Sequence, residues 1–154
     1  MRMKILMGLV LCGACALGSG RAHAQAVTAP AASAPAFSVV SRVGDTVYVS
    51  GTLGVSRTAG VPADAAVEAK QMLDSIKAAL TKEGLGMDDL VSATIFCTDL
   101  NLYATFNKVY VGYFTKAYPS RAFIGAKELL MGAHFEMMGV AQAGAGAKKP
   151  AAAK

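Results

Sequence analysis

Cysteine, histidine and charge are all scarce in this chain, and each shortage removes a class of function. There are three cysteines in 154 residues, and two of them, Cys12 and Cys15, fall in an apolar stretch near the start. If that stretch is removed, Cys97 stands alone, so no disulfide can form within the remaining chain. Cys97 has no histidine or basic residue near it in sequence and falls inside a strand pattern, so it reads as buried filler. The two histidines are His23 and His134. No group of His, Cys or carboxylates shows metal-ligand spacing, and no metal or cofactor is expected. The glycine pair in "GTLG" is too short to argue for a phosphate cradle.

Charge is thin as well: Asp, Glu, Lys and Arg together make up 16% of the residues. Much of the positive excess sits at the two ends. The chain opens with basic "MRMK", continues with apolar "ILMGLVLCGACALGSG", and then carries an Ala-x-Ala pattern ending at Ala24. Residues 1–24 therefore read as a secretory signal peptide cleaved after Ala24, which places the mature protein in the periplasm or outside the cell. The glycines in the run, and the cleavage-type site directly after it, argue against a retained membrane anchor. Removing Arg2, Lys4 and Arg21 from fifteen basic residues leaves twelve against ten acidic ones. Three of those twelve, Lys148, Lys149 and Lys154, lie in "AGAGAKKPAAAK". The folded part is thus close to neutral, and neither nucleic acid nor, after cleavage, a membrane is an expected partner.

Composition divides the rest. Residues 25–36 form an Ala/Pro/Ser linker, residues 37–142 are long enough for one domain with one core, and residues 143–154 form a low-complexity Lys/Ala tail. Within the domain, "DTVYVSG" alternates Val47 and Val49 against Thr46, Tyr48 and Ser50 and predicts a strand, with "FSVVSRV" as its hairpin partner. "PADAAVEAKQMLDSIKAALTKEG" predicts a long helix. Its apolar stripe is Ala65, Ala69, Met72, Ile76 and Leu80, with Glu68 among the charged residues of the other faces. Pro62 suits its first turn and Gly84 its C-terminal cap. "LVSATIFCT" predicts a buried strand, and Asp99 caps a second helix whose stripe is Leu102, Phe106, Val109 and Tyr113. "RAFIGAK" and "AHFEMMGVA" predict two further strands separated by a short loop.

The order β-β-α-β-α-β-β favours an α+β fold: one sheet with both helices on one face. Apolar residues on both faces of the last strands then leave an uncovered sheet face, which predicts self-association. The remaining chemistry lies with Arg121, which heads an otherwise apolar run, and with Glu136 on the next predicted strand. Arginine stays charged at any working pH, so a sheltered Arg121 needs an acceptor. If the two strands pair, Arg121 and Glu136 either form a structural ion pair or act together. In the second case Arg121 would fork onto a substrate carboxylate and Glu136 would orient a water. Ser50, closing its strand before Gly51, either adds a hydroxyl to such a site or makes a turn hydrogen bond.

The run Pro119-Ser120-Arg121-Ala122, then Ile124, Lys127, Leu129 and Glu136-Met137, resembles the C-terminal signature of the Rid family of reactive-intermediate deaminases, also called the YjgF family. "GDTVYVSG", "GVPADAAVEAKQMLDSIKAAL" and "DLNLYATFNKVY" match it in order. The resemblance implies a chorismate-mutase-like homotrimer with cofactor-free sites between subunits, which would cover the bare sheet face. It implies hydrolysis of 2-imino or enamine acids to 2-oxo acids and ammonia. Arg121 would hold the substrate carboxylate and Glu136 the attacking water, with Ser50, Gly51, Asn107, Phe37 and Phe123 at pocket positions. The chain also departs from the family. Phe37 stands where deaminase members usually carry a tyrosine, Phe123 where a cysteine is common, and the segment before Pro119 is shorter. Those departures keep a second function open: a non-catalytic module of the same fold that binds a small carboxylate.

Overall fold

The computed structural model describes residues 36–152. The signal segment 1–24 and the linker 25–36, apart from Ala36, lie outside the described residues. Among the described residues five strands and three α-helices run in the order β1 (Val40–Val43), β2 (Thr46–Leu53), α1 (Ala65–Lys82), β3 (Leu90–Cys97), α2 (Tyr103–Tyr110), β4 (Ser120–Gly125), β5 (Phe135–Gln142) and α3 (Ala145–Lys148). The strands make one mixed sheet ordered β1-β2-β5-β3-β4. Only the β3–β4 pair is parallel. The predicted α+β order holds. Both crossovers, β2-α1-β3 and β3-α2-β4, move in the same direction across the sheet. A shared crossover hand therefore puts both helices on one face.

Helix α1 begins at Ala65, three residues after Pro62. Asp64 caps it by accepting a hydrogen bond from Ala66 N at 2.8 Å, because a side-chain acceptor is a stronger start signal than a proline ahead of it. Its end matches the expectation for Gly84. Leu85 N donates to Leu80 O and Gly84 N to Thr81 O, with Gly84 at φ +75°, a left-handed cap that glycine adopts without strain. The second helical region is shorter than its sequence run. A three-ten turn, Leu100–Leu102, precedes α2 and another, Val111–Tyr113, follows it. Gly112 and the aromatic residues after it are poor helix formers. Asp99 caps as expected, accepting from Asn101 N at 2.9 Å.

The core lies between the helices and the sheet, around Met72, Leu73, Ile76, Leu80, Phe106, Ile95, Phe135 and Met137. Cys97 is buried among them, its Sγ directed at Asp99 O, and burial pushes its thiol up from the ordinary value. One charged residue joins this core against expectation. Glu68, placed by its charge among the solvent-facing residues of α1, is fully buried. Its Oε1 accepts from His134 N at 2.7 Å and Phe135 N at 2.9 Å, and its Oε2 lies 2.6 Å from His134 Nδ1. Buried without these partners the carboxylate would be costly; with them it ties α1 to the start of β5. Among the described residues the other sheet face carries no helix. Tyr48, Ile124 and Met138 remain half exposed there, as the two-sided apolar pattern predicts.

The segment after Gln142, which composition marks as a tail, is packed against the domain rather than leaving it. Ala143 N donates to Asp45 O at 2.8 Å and Gly146 N to Asp89 Oδ1 at 2.9 Å. Lys149 reaches inward to the carbonyls of Asp88, at 2.9 Å, and Leu90. The folded unit therefore continues past the boundary drawn at Gln142. The reason is that most of the docking uses backbone groups, which Ala and Gly supply as well as any residue.

Candidate functional site

Arg121 and Glu136 are not neighbours within one chain. The strands that carry them do not pair, because β3 lies between them: Arg121 is opposite Ala93 and Glu136 opposite Phe96. Ala93 and Phe96 are three residues apart on β3. Since side chains alternate along a strand, the two functional candidates point to opposite faces of the sheet. Arg121 faces the helices, and Glu136 faces the open side, between the buried Phe135 and Met137. Sequence adjacency of β4 and β5 suggested a pair; the parallel crossover through α2 claims the edge of β3 instead. Among the described residues no carboxylate forms an ion pair with Arg121, so the structural ion pair is not formed.

Arg121 is met by one face of α2. Tyr103, Asn107 and Tyr110 recur at four- and three-residue spacing and so stand over the same stretch of sheet. The guanidinium donates to Asn107 Oδ1 at 2.8 Å and to the Tyr103 hydroxyl at 3.2 Å. It also lies over the Tyr110 ring at 4.8 Å and near the Phe123 ring at 5.8 Å. Phe123 packs edge-on against Phe106 and Tyr103, so its ring builds the wall behind the arginine. Every side-chain acceptor bonded to Arg121 is neutral, and the fork has five donors. A cavity of about 330 Å³ opens beside it, lined by Asn107, Tyr110, Val111, Tyr118 and Pro119. Burial pushes the Tyr110 phenol up to about 12, with the Arg121 charge acting the other way, so it stays neutral at working pH. Among the described residues the buried Tyr110 hydroxyl has no hydrogen-bond partner. Hydrogen bonding with Asn107, and then the Arg121 charge, hold the Tyr103 phenol below its ordinary value.

Glu136 belongs to a second cavity, of about 490 Å³, with Phe37, Gly51, Arg57, Leu130 and Met131 on its walls. The carboxylate lies against Gly51: a Cβ built on that glycine would sit 2.0 Å from Glu136 Oε1. Gly51 falls where the β2–β5 register shifts between Val49 and Thr52, and the irregularity exposes backbone beside the acid. Ser50 lines an adjoining space of about 270 Å³, but its hydroxyl donates to the Ser38 carbonyl. The bond is local and ties the strand to the segment before β1. Phe37 is 62% exposed and brings no polar atom to the cavity. Met131, on the lip, is the one described non-glycine residue at positive φ, +60°.

Asn107 and Phe123 thus join Arg121, while Ser50, Gly51 and Phe37 join Glu136. Sequence reading missed Tyr103 and Tyr110 at the first place and Arg57 and Met131 at the second. The two tyrosines were accessible through their helical spacing from Asn107; Arg57 and Met131 lie on loops that carry no periodic signal. Among the described residues no group of three or more His, Cys, Asp or Glu is arranged to hold a metal ion.

A single mixed sheet with its helices on one face defines an α+β protein, with Arg121 beside a cavity on the helix face and Glu136 beside another on the open face. The chain belongs to the family described as Endoribonuclease L-PSP, whose model matches residues 26–143; this is the Rid, or YjgF, family. It is 36% identical over 117 residues to a 2-iminobutanoate/2-iminopropanoate deaminase of Escherichia coli strain K12, covering 73% of this chain and 91% of that one. A deaminase of the same name from Bos taurus is 37% identical over 118 residues, covering 75% and 85%. Among solved structures, E. coli TdcF with bound serine superposes with a TM-score of 0.66 at 32% identity, covering 74% of this chain and 92% of TdcF.

Proposed function

We propose that the protein hydrolyses 2-imino or enamine acids to 2-oxo acids and ammonia, at sites completed between subunits of a homotrimer. One observation carries the proposal: a guanidinium that only neutral oxygens engage stands beside a cavity large enough for a small acid. A substrate carboxylate supplies the charge-matched acceptor that the protein withholds, and a planar fork binds it with two parallel hydrogen bonds. Glu136 lies on the other face of its own sheet, so the acid serving a given Arg121 comes from a neighbouring subunit. Association through the uncovered face hides its apolar residues in the same step. The names of the deaminase relatives support the same reaction class.

The chemistry is redox-neutral. Water adds its oxygen to the carbon of the protonated imine while Glu136 takes a proton from it, giving a neutral carbinolamine. The Glu136 carboxyl group then returns that proton to the nitrogen, which leaves as ammonia, and the hydroxyl proton passes to Glu136 as the C=O bond forms. Imines hydrolyse unaided, so holding the carboxylate and one water in place supplies the modest acceleration required. The test generates imino acids with an amino-acid oxidase and traps them with semicarbazide. Catalytic amounts of the protein should suppress the adduct; no suppression at stoichiometric protein overturns the activity.

A second reading has its own support. Phe37 offers no hydroxyl, and that of Ser50 is committed to Ser38; both facts suit a module that binds a small carboxylate without turning it over. Such a module would bind 2-oxobutanoate yet leave the semicarbazide adduct unchanged. We also propose export, with residues 1–24 removed. Native mass spectrometry of the exported protein should give three chains, each starting at Gln25. A mass of one chain contradicts the shared site, and an uncleaved start contradicts the signal peptide.

A further inference from the structure

The segment that walls the arginine cavity is held from outside the region the family model matches. After α2, Phe114 to Ala117 runs to Tyr118 and Pro119 without joining the sheet. Its anchors are of two kinds. Asp88, in the short turn before β3, accepts from Thr115 N at 2.9 Å and Lys116 N at 3.0 Å through Oδ1, and from Thr115 Oγ1 at 2.5 Å through Oδ2. The other anchors come from the C-terminal segment. Ala117 N donates to Pro150 O at 2.8 Å, Ala152 N donates to Thr115 O at 3.1 Å, and Lys116 and Ala151 form an antiparallel bridge.

The same C-terminal segment grips Asp88 and its neighbours from behind. Lys149 Nζ donates to the carbonyls of Asp88 and Leu90, and Gly146 N donates to Asp89 Oδ1. Gly146 is buried so closely against the turn that a Cβ there would lie 3.0 Å from the Asp88 Cβ. Desolvation would raise the Asp88 carboxyl, but its hydrogen bonds with Thr115 and Lys116 outweigh that and hold it below the ordinary value. It is therefore an ionised acceptor at neutral pH. Residues 144–152, Asp88 and Thr115–Ala117 make one knot, and Tyr118 emerges from it to pack edge-on against Phe114 at 5.6 Å and to line the same cavity as Arg121.

We infer that residues 144–152 are a positioning strap for the arginine site: through Asp88 and Thr115–Ala117 they set Tyr118 and Pro119 where these close the cavity on a bound carboxylate. The inference rests on the reading of the Arg121 cavity as a ligand site, but not on turnover there.

The test uses the full chain and 2-oxobutanoate, followed by titration calorimetry. Lys149→Met keeps the aliphatic stem and removes the two donor contacts; Gly146→Leu lifts the strap at a different point. Each should weaken binding roughly five- to tenfold, as should Tyr118→Ala in the native background. The deciding measurement is the coupling. If the strap acts through Tyr118, Lys149→Met adds little to Tyr118→Ala, whereas independent effects multiply. A strap that serves only stability would lower the melting temperature and leave affinity alone. Affinity within twofold of native in both strap variants, multiplicative effects in the double variant, or no binding of 2-oxobutanoate by the native protein each overturns the inference. Binding with the predicted coupling but no hydrolysis sinks the deaminase reading alone.

Discussion

Arg121→Lys is expected to lower kcat/KM for 2-iminobutanoate by roughly 10- to 100-fold, and Arg121→Ala by more, in the semicarbazide-trap assay. The size follows from the bond type: a hydrogen bond to a charged group contributes about 1.5–3 kcal/mol, and a bidentate pair is poorly replaced by a point charge. The native fork is pre-set on three sides. Asn107 Oδ1 and the Tyr103 hydroxyl hold two of its nitrogens, and the Tyr110 ring lies 4.8 Å from the guanidinium carbon. A lysine ammonium has neither the plane to lie on that ring nor the two-nitrogen spacing to match a carboxylate. The loss should fall mainly on KM, because carboxylate binding is present in ground and transition states alike. The melting temperature should change little, since Arg121 sits on an edge strand with no ion pair to break. A kcat/KM within threefold of native for Arg121→Lys would show that the fork is not the substrate's anchor.

How the site came to be divided was partly legible in the sequence. The alternation around Val47 and Val49 and the stripe through Met72, Ile76 and Leu80 report burial directly, and those elements stand as expected. Strand pairing is a non-local choice. β4 and β5 are consecutive with a short loop between them, so a hairpin was the local guess. The rule that strand, helix and parallel strand form a crossover unit would have placed β4 beside β3 and left β5 to fill the gap. Glu68 was misplaced for another reason. It lies four residues before Met72 and eight before Ile76, on the apolar stripe, and its charge overrode its spacing. Its partners, His134 N and Phe135 N, are backbone groups that no residue pattern announces. The C-terminal strap was hidden in the same way, since Ala117, Pro150 and Ala152 contribute carbonyls and amides rather than side chains. Arg121 and Glu136 stood out because charge in an apolar strand is rare; that they face opposite ways could be told only once the register was known.

Gly51→Ala provides the complementary result: kcat should fall about 100-fold while stability stays within about 1 kcal/mol of native. The two halves of this prediction have different physical origins. Gly51 does not occupy the left-handed region, so alanine meets no backbone strain, and the three atoms nearest the new Cβ all belong to the Glu136 side chain. The overlap with Oε1, at 2.0 Å, is severe but involves the tip of a flexible chain, which can rotate away without disturbing β2 or β5. The fold therefore survives, and the carboxylate leaves the place from which it would hold water. KM should hold near its native value, because in the proposed mechanism Arg121, and not the acid, holds the substrate carboxylate. Glu136→Gln removes the proton acceptor itself, so it should lower kcat to a similar extent, and combining it with Gly51→Ala should add almost nothing, the mark of two changes acting on one group. An active Gly51→Ala beside an inactive Glu136→Gln would mean that the acid works from a different position than the one it holds against Gly51. Full activity in Glu136→Gln would remove the acid from the mechanism altogether and leave the arginine cavity as a binding site alone.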